Sequence, residues 1–113
     1  MAYPNRDEAI KRIRAGLLKR TGKAWSVTTP SKGTSWGWIT IAAPPRRQVD
    51  DYDQPKASGG HTSKADREEL KRVLGLDSVH HQGISIPAGS DYYQEYVDRA
   101  EGRKPSVLGK HSW

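Results

Sequence analysis

The apolar positions of this chain follow two different periods. In "PNRDEAIKRIRAGLLKRTGK", Ala9, Ile10, Ile13, Leu17 and Leu18 recur at helical spacing and predict a first helix with one buried face. Asn5 stands where an N-cap belongs, Asp7 and Glu8 fill the first turn, and Gly22 suits the left-handed residue that closes a helix. The period then shortens to two. "AWSVTT" sets Trp25, Val27 and Thr29 against Ser26 and Thr28. "SWGWITIA" sets Ser35, Gly37, Ile39 and Ile41 against Trp36, Trp38, Thr40 and Ala42. Both read as half-buried strands, joined by the turn-forming "TPSKGT". Val27, Ile39 and Ile41 supply the face that the first helix needs, with Trp25 beside them. Trp36 and Trp38 are thereby assigned to the opposite face of the sheet.

Periodicity stops at Pro44-Pro45. "PPRRQVDDYDQPKASGGHTS" has neither apolar repeat nor a long run of ladder donors, and 44–62 is expected to form a long mobile loop. "TSKADREELKRVLGL" predicts a second helix capped by Thr62 or Ser63, buried through Leu70, Val73 and Leu74 and ended by Gly75. A short strand at 83–86 is stopped by Pro87. A third helix follows, capped by Ser90 or Asp91, with Tyr92, Tyr93, Tyr96, Val97 and Ala100 as its apolar stripe. Its acids Glu95, Asp98 and Glu101 are expected to face outward. It is the candidate cover for Trp36 and Trp38. If that face is instead partly open, the two rings are placed to stack on bases or to anchor a partner protein. The order helix, strand, strand, loop, helix, strand, helix predicts one α+β domain over 1–102. Its sheet is mostly antiparallel, of about three strands, with two or three helices, and an irregular tail spans 103–113.

Composition narrows the chemistry. A chain of 113 residues without cysteine has no disulfide and no thiolate nucleophile. No apolar run approaches the roughly 18 residues of a membrane span, and the N-terminus lacks a signal-peptide core, so a cytoplasmic protein with no membrane partner is expected. The net charge is +6 and unevenly spread. Residues 1–23 carry seven bases and two acids, 24–47 three bases and no acid, and 77–101 five acids and one arginine. Such a dipolar distribution favours a polyanion on one side. The bases assigned to it are Lys11, Arg12, Arg14, Lys19, Arg20, Lys23, Lys32, Arg46 and Arg47, with Trp36 and Trp38 as an aromatic face. Nucleic acid, DNA or RNA, is therefore the expected partner. The alternative is an interaction module or inhibitor that meets a basic protein through the aromatic and acidic block 92–101.

Catalysis ranks third. His80 and His81, with His61, Asp77 and Ser78 near in sequence, are the only residues resembling an active site, and a small hydrolase would use them. Adjacent histidines in a strand point to opposite faces, which disfavours a shared metal. No zinc-ligand spacing, Walker loop or nucleophile elbow occurs. No catalytic residue, metal or cofactor is assigned.

Two blocks carry a resemblance. "IRAGLLKRTGKAWSVTTPSKGTSWGWITIAAPP" and "LGLDSVHHQGISIPAGSDYYQEYVDRAEGR" resemble a set of uncharacterised small bacterial proteins with a helix, a "KxWSV" strand and a "GWI-I-aPP" strand. The arrangement is more faintly similar to the polyvalent-protein-associated domains of phages and conjugative plasmids. The resemblance implies a free-standing module of bacterial, phage or mobile-element origin, and it implies no activity. Residues 48–61 and the C-terminal tail lie outside it.

Overall fold

The computed structural model of the chain describes residues 3–29, 38–50, 52–56 and 60–109. Lys32 and Trp36 lie outside the described residues. Helix α1 (Arg6–Thr21) is followed by strands β1 (Ser26–Thr28) and β2 (Ile39–Ala42), and a 3-10 turn at Pro45–Arg47. Helix α2 (Lys64–Leu74), strand β3 (Ile84–Ile86) and helix α3 (Ser90–Ala100) complete the order. The protein is a small α+β domain with a three-stranded antiparallel sheet in the order β1-β2-β3.

Register puts the branched residues on one face. Val27 pairs with Ile41, while Ile39 and Ile41 pair with Ile86 and Ile84. All five side chains enter one apolar cluster with Ile13 and Leu17 of α1, Leu70, Val73 and Leu74 of α2, and Tyr93, Val97 and Ala100 of α3. Each fully buried Ile or Leu contributes about 1.5–3 kcal/mol, so this shared seam holds the layers together. All three helices therefore sit on the isoleucine side. Ser26, Thr28, Thr40, Ala42 and Ser85, on the other face, are exposed or half-buried.

That arrangement corrects the role expected of α3. The helix packs on the side of Ile39 and Ile41, so it is not a cover for the opposite face. Trp38 is half-buried just before β2 and is not a member of the apolar cluster. Among the described residues the buried tryptophan is Trp25, whose indole Nε1 donates to the Thr21 hydroxyl at 2.9 Å.

Helix ends largely follow the sequence signals. The Asn5 side chain accepts from the Glu8 N–H, Ser63 accepts from Asp66, and Gly22 and Gly75 close their helices in the left-handed region. Two expectations fail. Neither Ser90 nor Asp91 is the N-cap of α3; that place belongs to Gly89, at φ 149°. Leu18 is 51% exposed rather than buried. The angular gap in the buried stripe is filled by Gly16, where an added Cβ would stand 2.7 Å from the Ala100 carbonyl oxygen. Helix α1 thus meets α3 through backbone.

The acids of α3 also turn the other way. Glu95 and Asp98 are buried, not outward-facing. Asp98 accepts from Gln94, Arg103 and both the N–H and hydroxyl of Ser106, which folds the tail back onto the helix. Glu95 accepts from Arg99 and from the Gly109 N–H. Backbone bonds join described residues of 44–62. Val49 and His61 exchange N–H···O bonds of 2.9 and 2.7 Å, Lys56 donates to Gln48, and Asp50 donates to Gln54. Thr62, buried, accepts from the Ala43 N–H.

Candidate polyanion-binding surface

The bases expected to form one basic face are drawn in several directions. Arg12 spans both carboxylate oxygens of Glu101, at 3.2 and 3.0 Å. Arg14 donates to the Val27 carbonyl at 2.7 Å. Lys23 meets Asp66 and Glu69, and these contacts, Glu69 foremost, raise its pKa. Arg47 pairs with the buried Asp66, donates to the Ala24 carbonyl and lies 4.7 Å over the Trp25 ring. These four side chains brace the fold. Lys11, Lys19 and Arg46 are exposed and make no ion pair or side-chain hydrogen bond among the described residues. Lys11 shares its helix face with Asp7, Leu18 and Ala15, so the outer face of α1 is mixed.

A more concentrated basic surface forms where the C-terminal ends of the helices converge. Arg20, Arg72, Arg99, Arg103 and Lys104 surround a shallow depression of about 220 Å³, and no acid lines it. The local cause is the helix C-terminus, whose unpaired carbonyls attract cations. Arg20 Nη1 donates to Val73 O at 2.9 Å and to Arg99 O at 2.8 Å, joining the ends of α1, α2 and α3. Arg99 Nη1 donates to Leu74 O and Gly75 O at 2.8 and 3.0 Å. These two arginines are the floor. Arg20 has no carboxylate partner among the described residues, so carbonyls hold the guanidinium in place and leave its charge unneutralised.

The rim is freer. The Arg72 side chain is 74% exposed and only 3.9 Å from Glu69, and Lys104 is exposed with no ion pair among the described residues. Arg103 is fixed by Asp98 and Glu101. Burial pushes the Asp98 carboxyl up, but Ser106, Arg103 and Gln94 together outweigh it and hold the pKa at about 2. Burial likewise opposes ionisation of Glu101, and Arg12 and Arg103 prevail, lowering its pKa. Both carboxylates stay charged and keep Arg103 in position.

Of the sequence-assigned bases among the described residues, only Arg20 lines this depression. Arg99 was missed because it lies in a segment dominated by acids, Arg103 and Lys104 because theirs reads as a tail, and Arg72 because the charges of its helix are mixed. A signal was present: "LKRTGK", "LKRVLG" and "DRAEGRK" each put bases at a helix end. The histidines lie elsewhere. His80 bridges Gly83 at a turn, the His80 and His81 rings are 6.2 Å apart and nearly perpendicular, and His81 is 5.9 Å from His61. Asp77 is exposed and bonds to neither ring among the described residues. No group of three His, Asp or Glu among the described residues is placed to hold a metal.

No protein-family model, curated protein or solved structure matches the chain.

Proposed function

We propose that the protein binds nucleic acid, seating the phosphate backbone against the depression at the helix C-termini. The observation that carries this reading is the gathering of five bases from three helices and the tail, with no acid in the lining. Phosphate contacts supply most of the affinity of a non-specific nucleic-acid complex, and arginine offers paired donors to phosphate oxygens. Arg20 and Arg99 are held by carbonyls before any ligand arrives, which reduces the entropy lost on binding. Arg72 and Lys104 retain the freedom to follow an irregular backbone. Lys19, exposed beside Arg20 in sequence, extends the positive field along α1.

Less supports the competing reading, in which the aromatic and acidic block 92–101 meets a basic protein. Glu95 and Asp98 are buried, and Glu101 is held by Arg12 and Arg103. A titration with labelled single- and double-stranded DNA and RNA at low and moderate salt tests the proposal. Binding that weakens steeply with salt is expected; no binding to any of the four polymers at low salt overturns it.

A further inference from the structure

A second cavity, which shares no lining residue with the depression at the helix C-termini, has a different chemistry. It encloses about 330 Å³ between Val49, Asp50, Asp53 and His61, the first turns of α2 and the turn at His81. Backbone bonds assemble it. The Val49–His61 bridge brings His61 to one wall, and the Thr62 N–H donates to His81 O at 2.8 Å, bringing His81 alongside. Lys64 and Arg67, three residues apart, share a face of α2 and line the same space. Arg67 Nη1 donates to Thr62 O at 2.7 Å and lies 3.3 Å from His81 Nδ1. A guanidinium cannot accept a hydrogen bond, so this contact is a hydrogen bond only when Nδ1 is the acceptor, the tautomer that leaves Nε2 as a further donor.

Asp50 and Asp53 complete the lining, and each has one oxygen already committed. Asp50 Oδ1 accepts from the Tyr52 and Gln54 N–H groups at 2.8 and 3.0 Å, and Asp53 Oδ1 accepts from Lys64 N at 3.1 Å. Their second oxygens accept no hydrogen bond among the described residues. Neither Lys64 nor Arg67 has a carboxylate partner among the described residues. The lining thus offers two cations to an anion and carboxylate oxygens to hydroxyl groups, with His61 and His81 beside them. A bare anion leaves the carboxylates unused, and a bare polyol leaves the cations unused.

We propose that this cavity binds a small phosphate monoester bearing hydroxyl groups, of the nucleotide or sugar-phosphate class. The phosphate sits between Lys64 and Arg67, and the hydroxyls donate to Asp50 and Asp53. The volume lies at the lower end of small-molecule pockets, which suits one mononucleotide or sugar phosphate and no dinucleotide. The site does not depend on the polyanion surface.

The test is an amide-shift titration of the full chain with ribose 5-phosphate, adenosine 5′-monophosphate, adenosine and inorganic phosphate. Saturable shifts at Lys64, Arg67 and His81 are expected with one or both esters, and none with adenosine. Lys64→Ala, which removes an exposed side chain without a structural bond, is expected to weaken the ester at least about tenfold while leaving the unbound spectrum folded. Absence of saturable shifts with both esters at millimolar concentration overturns the proposal, as does undiminished binding by Lys64→Ala. Inorganic phosphate binding as tightly as the esters, or adenosine binding as tightly as its monophosphate, overturns the assigned class.

Discussion

Gly16 faces the Ala100 carbonyl so closely that no side chain fits between them: an added Cβ would stand 2.7 Å from that oxygen. The contact sets how near α1 and α3 approach, and through α3 it sets where Arg99 and Arg103 stand. Gly16→Ala gains up to about 1 kcal/mol of helix propensity but must force backbone apart, which typically costs about 1–3 kcal/mol. Net destabilisation is expected, seen as a lower urea midpoint. A higher midpoint would show that the helices separate without strain.

Adjacent bases on α1 are expected to behave differently. Lys11→Glu changes an exposed position and should shift stability by no more than about 0.5 kcal/mol. Arg12→Glu removes a two-point pair with Glu101 and sets two acids together, with a loss on the order of 1–2 kcal/mol. Urea unfolding of both variants at neutral pH checks this; equal midpoints would mean that the Arg12–Glu101 pair contributes nothing.

Asp98 makes the fold acid-sensitive in a defined window. Its folded pKa, about 2, is depressed below the ordinary 3.8. A depressed carboxylate stabilises the fold above its unfolded pKa, and that stability is lost as pH falls from about 4 toward 2. The contribution is roughly 2 kcal/mol, because each tenfold gain in acidity on folding is worth about 1.4 kcal/mol. Asp98→Asn should lower stability at neutral pH and flatten its fall below about pH 4. Parallel pH profiles for parent and variant would remove Asp98 as the cause.

Within 44–62, hydrogen exchange should be uneven. The amides of Val49, Lys56 and His61 donate to backbone carbonyls and should be slowed, His61 and Val49 most, since they form a reciprocal pair. Uniformly fast exchange at all three would support the expected mobile loop instead.

The helices and strands were legible because local spacing carries them. Ile13 and Leu17, Val27 and Ile41, Leu70 and Leu74 announce their elements by period alone, and Asn5, Ser63, Gly22 and Gly75 mark helix ends chemically. The bonds made by described residues of 44–62 were not legible because they are single long-range contacts, such as that from the Ala43 N–H to the Thr62 hydroxyl, which leave no periodic trace. Side-chain direction on α3 was misread for a related reason. Glu95 and Asp98 look solvent-facing until the tail folds back with Arg103, Ser106 and Gly109 to satisfy them. The α1 bases formed one run in sequence, yet Arg12, Arg14 and Arg20 find partners 89, 13 and 53 positions away, at Glu101, Val27 and Val73. The depression could not be read from any one segment, because its five bases come from three helix ends and a tail.

The measurement closest to the central claim compares two charge-reversed pairs in a nucleic-acid titration across salt. Arg72→Glu/Lys104→Glu alters the rim of the depression, and Lys11→Glu/Lys19→Glu alters exposed bases of α1; neither pair removes a bond on which the fold depends. If the helix C-termini hold the phosphates, the rim pair loses affinity and its log-log salt dependence flattens by roughly 1.4–1.8 for two lost contacts. The α1 pair changes less on both counts. A rim variant that binds as tightly as the parent, with the same salt slope, would contradict the account.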